Sequence, residues 1–230
     1  MTASHVHPDI DRYLQPGTFI DSDHPTILAF AERALRGIGA SATERGVALY
    51  YAVRDGLRYD PYSLSLKPEE YVASTIAQRD YGFCIPKALL LVAAARAAGI
   101  PARPGYADVT NHLCTPKLRA AMNGQDLFIY HGYVEMYLNG QWVKSTPAFN
   151  KELCERFGVK TLEFNGVEHA MLHPFDRNGR QHMEYVRERG TFFDHPFAQI
   201  SAELGAVYGD VDIMLARLNG DFAAEATGLL

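Results

Sequence analysis

Cysteine, tryptophan and basic clusters are all scarce in this sequence. The three cysteines, Cys84, Cys114 and Cys154, stand far apart with no CxxC pair. That odd, sparse set argues against a disulfide framework and a structural zinc site. No block of basic residues occurs and the formal net charge is −5, so nucleic acid and anionic membranes are unexpected partners. The first residues, MTASHVHPDIDRYLQPG, lack a basic start followed by an apolar stretch, so no signal peptide is expected. The longest apolar run, ALLLVAAARAAGI, is broken by Arg96 and is too short to span a bilayer. A reducing, cytoplasmic setting is the default expectation. Repeats, low-complexity tracts and clear linkers are also missing. At 47% hydrophobic and 21% charged residues, the 230-residue chain has the composition of an ordinary globular protein with a sizeable core.

Helical signals fill the first half. HPTILAFAERALRG (24–37) has Pro25 near a helix start and Gly37 near its end. In 43–60, Val47, Tyr50, Val53 and Leu57 recur at spacings of three and four, giving one apolar face. KPEEYVASTIAQ (67–78) opens with proline and two acids, a helix-start composition. DYGFCIPKALLLVAAARAAGIPAR (80–103) places Pro86 in a first turn, Gly99 at a C-terminal cap and Pro101 beyond it. A helix over about 85–98, apolar almost all round, should be central and buried.

After Gln125 the pattern becomes aromatic and β-branched. Asn139-Gly140 in the middle of 127–149 signals a hairpin. A two-residue turn there pairs Leu138 with Gln141 and Tyr137 with Trp142, and sets Tyr133 opposite Thr146. His131 then shares a face with Tyr133, Glu135 and Tyr137, with Thr146 and Asn150 as diagonal neighbours. Pro147 should end regular pairing. Residues 160–176 include a possible strand and a turn at Asn165-Gly166, and 195–222 reads as helix interrupted by glycine. Helices, then strands, then a helical tail indicate an α+β class.

Two residues carry candidate chemistry. A cysteine at a helix start lies beside unpaired N–H groups and the positive end of the helix dipole, which favour the reactive thiolate. The plainer role of a lone cysteine is that of a small buried hydrophobe. Of the nine histidines, His5, His7 and His24 lie in polar surroundings near the N-terminus, while His112, His182 and His195 lie in turn-like sequence. His131 lies within an apolar strand, where it needs a hydrogen-bond partner. His169 and His173 have a ligand spacing if helical, but Pro174 follows at once and no third ligand is evident. Surface or turn histidines are the preferred reading there.

Together, GFCIPKALLLVAAARAAGIPAR (82–103) and HGYVEMYLNGQWVKSTP (131–147) resemble the transglutaminase-like superfamily of papain-type thiol enzymes. YLQPGTFIDSDHPTILAFAERAL and LYYAVRDGLRYDPY are similar to the helices that precede this core in bacterial members, so the resemblance covers about 13–150. It implies a single α+β domain over 1–230 with a papain-like, transglutaminase-core fold. The core would cover about 43–150, between a helical extension at 1–42 and a mixed one at 151–230. A Cys-bearing helix would pack on an antiparallel sheet that carries the histidine.

The resemblance makes Cys84 the nucleophile and His131 the general base paired with its thiolate. The family's third member is usually an aspartate just before proline, where this chain has Thr146. A threonine hydroxyl can hold the imidazole tautomer but brings no negative charge. Asn150 is a neutral substitute, and Asp108 and Asp176 are charged alternatives. The N–H of Cys84 would serve the oxyanion hole, with Tyr81 as a candidate second donor. Trp142 is expected to pack among aromatics and Arg103 to support the core. The implied reaction is attack on an amide or ester carbonyl, a thioester, then transfer to water in preference to an amine. The substrate would be a peptide, a protein or a small amide, with no cofactor and no metal. The rival reading is a binding or scaffold protein that keeps the fold without catalysis, and Thr146 favours it.

Overall fold

The computed structural model describes residues 8–112, 114–172, 178–179, 182–218 and 220–226. In chain order the elements are α1 (Pro8–Asp11), α2 (Pro25–Ala34), α3 (Ala42–Gly56), β1 (Arg58–Tyr59), α4 (Ala73–Ile76), β2 (Tyr81–Gly82), α5 (Cys84–Ala97) and β3 (Ala102–Asn111). There follow α6 (Pro116–Ala121), β4 (Leu127–Leu138), β5 (Gln141–Ser145), α7 (Lys151–Arg156), β6 (Met183–Thr191), α8 (Phe197–Tyr208), α9 (Val211–Arg217) and α10 (Phe222–Ala226). The main sheet is antiparallel in the order β5-β4-β3-β6, and β1 and β2 form a short parallel pair just ahead of α5.

Helix α5 is the centre of the fold. Every residue from Cys84 to Arg96 is buried, and Leu89, Leu90, Leu91 and Val92 are fully so. One face lies on β4, where Val134, Met136 and Leu138 join the core, and α2, α3 and α4 pack on the others. Its end is a Schellman cap: Gly99 N–H bonds Arg96 O, Ile100 N–H bonds Ala95 O, and Gly99 takes φ 74°. Lys87, wholly buried, donates to the carbonyls of Arg54 and Leu57 and so closes the C-terminal end of α3.

The expected hairpin forms in the expected register, with Leu138 opposite Gln141 and Tyr137 opposite Trp142. Asn139 and Gly140 both have positive φ, as a type I′ turn requires. Pairing ends at Ser145, before Pro147.

Three stretches differ from the pattern. Residues 67–78 do not form one helix: a 3-10 turn over Pro68–Tyr71 and the four-residue α4 flank extended Val72. The break is tertiary, because Ala73 N–H bonds Phe19 O and Ser74 N–H bonds the Asp21 carboxylate. The possible strand in 160–176 reduces, among the described residues, to a single bridge between Ser145 and Ala170. Residues 105–126, expected to be loop, in fact begin within strand β3, which carries Pro104, a residue unusual in a central strand. Pro104 faces the far end of β6, which pairs with β3 only from Gly105 onward, so no ladder bond is lost there.

Candidate active site

The N-terminus of α5 presses against β4 at Gly132. A β-carbon there would stand 3.1 Å from Ile85 Cα and 3.2 Å from Cys84 O, so any side chain would push the helix start back by a few tenths of an ångström. The neighbouring residue, His131, and Cys84 both line a cavity of about 90 Å³. The backbone N–H groups of Gly132, Ile85 and Cys84 itself reach the Cys84 sulfur.

A β-bulge positions His131. Ala107 pairs with His131 but Val109 with Phe128, so β4 carries one extra residue here. Tyr130 takes up the bulge at φ 57°, a conformation costing about 1 kcal/mol or more for a non-glycine residue. Asp108 holds it in place by accepting from Tyr130 N–H at 3.1 Å. Arg189 grips the same carboxylate through Nε at 2.9 Å and reaches Glu203 on α8 at 2.6 Å. The Tyr130 hydroxyl also donates to Glu203. One ion network therefore fixes both the bulge and the helix that roofs the cavity.

Burial dominates the titration of both candidate groups. It pushes the Cys84 thiol up to about 11, against the lowering effect of the three backbone N–H groups. It drives His131 down to about 4. The thiolate favoured by the helix start alone is therefore corrected: the helix start is present, but desolvation outweighs it. At neutral pH the resting groups are a thiol and a neutral imidazole. His131 Nε2 is buried with no hydrogen-bond partner among the described residues.

A profile of the transglutaminase-like superfamily matches residues 29–147, a span that holds α5, His131 and the hairpin. The chain belongs to this superfamily. A solved structure of a candidate cysteine protease from Cytophaga hutchinsonii is similar in fold at TM-score 0.50 and 19% identity. The match covers 88% of this chain and 51% of that one, so the chain spans about half the length of its neighbour. A search of curated proteins finds no match.

In this superfamily member the third position is not built as its motif suggests. Thr146, 1% exposed, makes no described hydrogen bond to His131. Its hydroxyl lies near that of Tyr185 and donates to Met171 Sδ at 3.8 Å. Tyr185, from β6, meets the His131 ring edge-on at 6.3 Å and lies between Thr146 and the imidazole in the order of described contacts. Asn150 makes no described hydrogen bond to His131 either: its Oδ1 accepts Tyr59 N–H at 3.0 Å. Asp108 is spent on the bulge, and Asp176 lies outside the described residues, as does His173.

His169 accepts Lys144 N–H in a non-helical segment, and its spacing partner His173 lies outside the described residues. Tyr81 lies on β2, away from the cavity lining. Trp142 packs against Tyr137 and Tyr13 under Arg103, which pairs with Glu135 as core support.

The sequence reading missed two residues at this site, Tyr185 and His195. His195 lines the cavity, stacks on Tyr71 and shares a 2.7 Å hydrogen bond with Tyr106; burial drives it too down to about 4. A histidine amid apolar HPFAQI was a usable signal. Tyr185, within the charged run MEYVRERG, offered none.

Proposed function

We propose that this protein is a thiol acyl-transfer enzyme acting on an amide or ester carbonyl, with water as the usual acceptor. The observation that carries the reading is Cys84 at the start of α5, beside backbone N–H groups, lining the same cavity as a histidine whose Nε2 has no described partner. In this scheme His131 Nε2 takes the thiol proton as Sγ attacks the carbonyl carbon. The oxyanion accepts from the N–H groups at the helix start, which carry no intrahelical bond. Collapse expels the alkoxide or amine, which leaves with the proton from His131, and an S-acyl thioester stays on Cys84. Water then attacks the thioester, His131 again taking and returning a proton, and the acid departs with the thiol restored. Tyr185 orients the imidazole by its ring edge. A neutral resting pair makes proton transfer part of the attack, so His131 is needed as a base rather than as a counter-charge.

The neutral thiol and imidazole also favour a second reading, a transglutaminase-fold binding protein without catalysis. Acylation by p-nitrophenyl acetate, mapped by peptide mass spectrometry, separates the two. The enzyme reading expects acetyl on Cys84, steady release of nitrophenolate, no turnover in Cys84→Ala and a loss of about 10²–10⁴-fold in His131→Ala. Acetyl spread over Cys84, Cys114 and Cys154 regardless of His131 sinks it and leaves the binding protein.

A further inference from the structure

The cavity beside Cys84 carries more than the reaction class. Its floor is the start of α5 with Phe83 and Ile85, and one wall is the bulged strand from Phe128 to His131. Its roof is α8 and α9, through residues such as Ile200, Leu204 and Met214. No lysine, arginine, aspartate or glutamate lines it among the described residues. Four tyrosines line it: the hydroxyls of Tyr71, Tyr130 and Tyr208 are spent on Ser65 O, Glu203 and Leu127 O, and that of Tyr59 makes no described hydrogen bond. Both histidines on the wall are neutral in the folded protein. A charged group entering here would lose its hydration and meet no counter-charge. An apolar group would shed water into a site already lined for it. The volume of about 90 Å³ is below the roughly 150 Å³ of an engineered apolar cavity that admits benzene. It suits a short chain better than a long one.

We propose that this cavity is the acyl-binding site and that it selects a short, uncharged apolar acyl group, carried as an ester, amide or thioester. The inference rests on the thiol-enzyme reading of Cys84. The roof helices lie outside the superfamily match at 29–147, so this selectivity would belong to the C-terminal extension of this chain.

The test is a series of p-nitrophenyl esters on the full chain: acetyl, butanoyl, hexanoyl, dodecanoyl and 6-aminohexanoyl. Each buried methylene should raise kcat/KM about fourfold until the cavity is full. Butanoyl and hexanoyl should therefore exceed acetyl by at least tenfold, and dodecanoyl should fall back. The 6-aminohexanoyl ester should lag hexanoyl by at least a hundredfold. Ile200→Phe, which fills the roof, should lower the hexanoyl-to-acetyl ratio at least tenfold. Calorimetric titration of Cys84→Ala with hexanamide and 6-aminohexanamide reads the same preference without catalysis, and only hexanamide should bind. If no ester acylates Cys84, the thiol-enzyme reading fails. If acetyl is transferred in a His131-dependent way but chain length and charge make no difference, that reading survives and the acyl-site inference is overturned.

Discussion

The two ends of α5 are built by opposite rules. At the C-terminal end the helix is capped and its buried charge is paired. Gly99 and Ile100 close the last turn, and buried Arg96 donates to three carbonyls, those of Gln15, Ala102 and Phe193. At the N-terminal end Phe83 offers no side-chain cap, the N–H groups gather round a sulfur, and His131 Nε2 has no described partner. The satisfied end fixes where the helix lies, while the unsatisfied end keeps hydrogen-bonding capacity for a reacting group. Buried polar groups are normally paired because leaving them unpaired costs about 1–3 kcal/mol each. A concentration of such groups beside a cavity is the physical signature of a site.

Breaking the satisfied end should cost most. Arg96→Met removes three buried hydrogen bonds and strands three carbonyls, for an expected loss of about 3–5 kcal/mol in urea unfolding. A loss below about 1 kcal/mol would mean water replaces the guanidinium and the two ends are not so different.

Acid should act on the other end. His131 and His195 are held neutral down to about pH 4, whereas a free imidazole protonates near 6.5. Between these values the unfolded chain binds more protons than the folded one, so stability falls as pH drops through that window. The expected loss is about 3 kcal/mol per histidine. Unfolding at pH 7, 5 and 4 should show it, and His195→Phe should flatten the profile by about half. An unchanged profile in that variant would show that His195 takes up its proton in the folded state.

Gly132→Ala sharpens the comparison at the site itself. The new methyl group meets backbone atoms of Cys84 and Ile85, which cannot rotate away. Displacing the helix start should cost about 1–3 kcal/mol and lower turnover on an activated ester by about 10²-fold. Stability lost with activity intact would mean that the seating of α5 on β4 does not position Cys84.

Gly99→Ala should have the smallest effect. Nothing lies within 4 Å of the added methyl, so only the positive φ opposes it. About 1 kcal/mol is expected, with no change in turnover.

Local chemistry alone set much of this arrangement. Pro86 and Gly99 bound α5 because a missing N–H and a positive φ are tolerated only at a helix start and just past a helix end. Asn139-Gly140 fixed the hairpin register, and with it Tyr137 opposite Trp142, because the turn admits two residues of positive φ. The superfamily motifs around Cys84 and His131 are legible for the same reason: each is contiguous in the chain.

The tertiary structure decided what no short window contains. The bulge at Tyr130 depends on Asp108 and Arg189 from two other strands. Tyr185 reaches His131 from β6, and His195 comes from the segment just before α8. Most of all, the titration of Cys84 follows from burial. A helix start in water would favour the thiolate, yet enclosure by β4 and the cavity lining favours the neutral thiol, because desolvation of a charge outweighs a few backbone dipoles. Burial is a property of the assembled core, so the sequence could name the sulfur but not its charge.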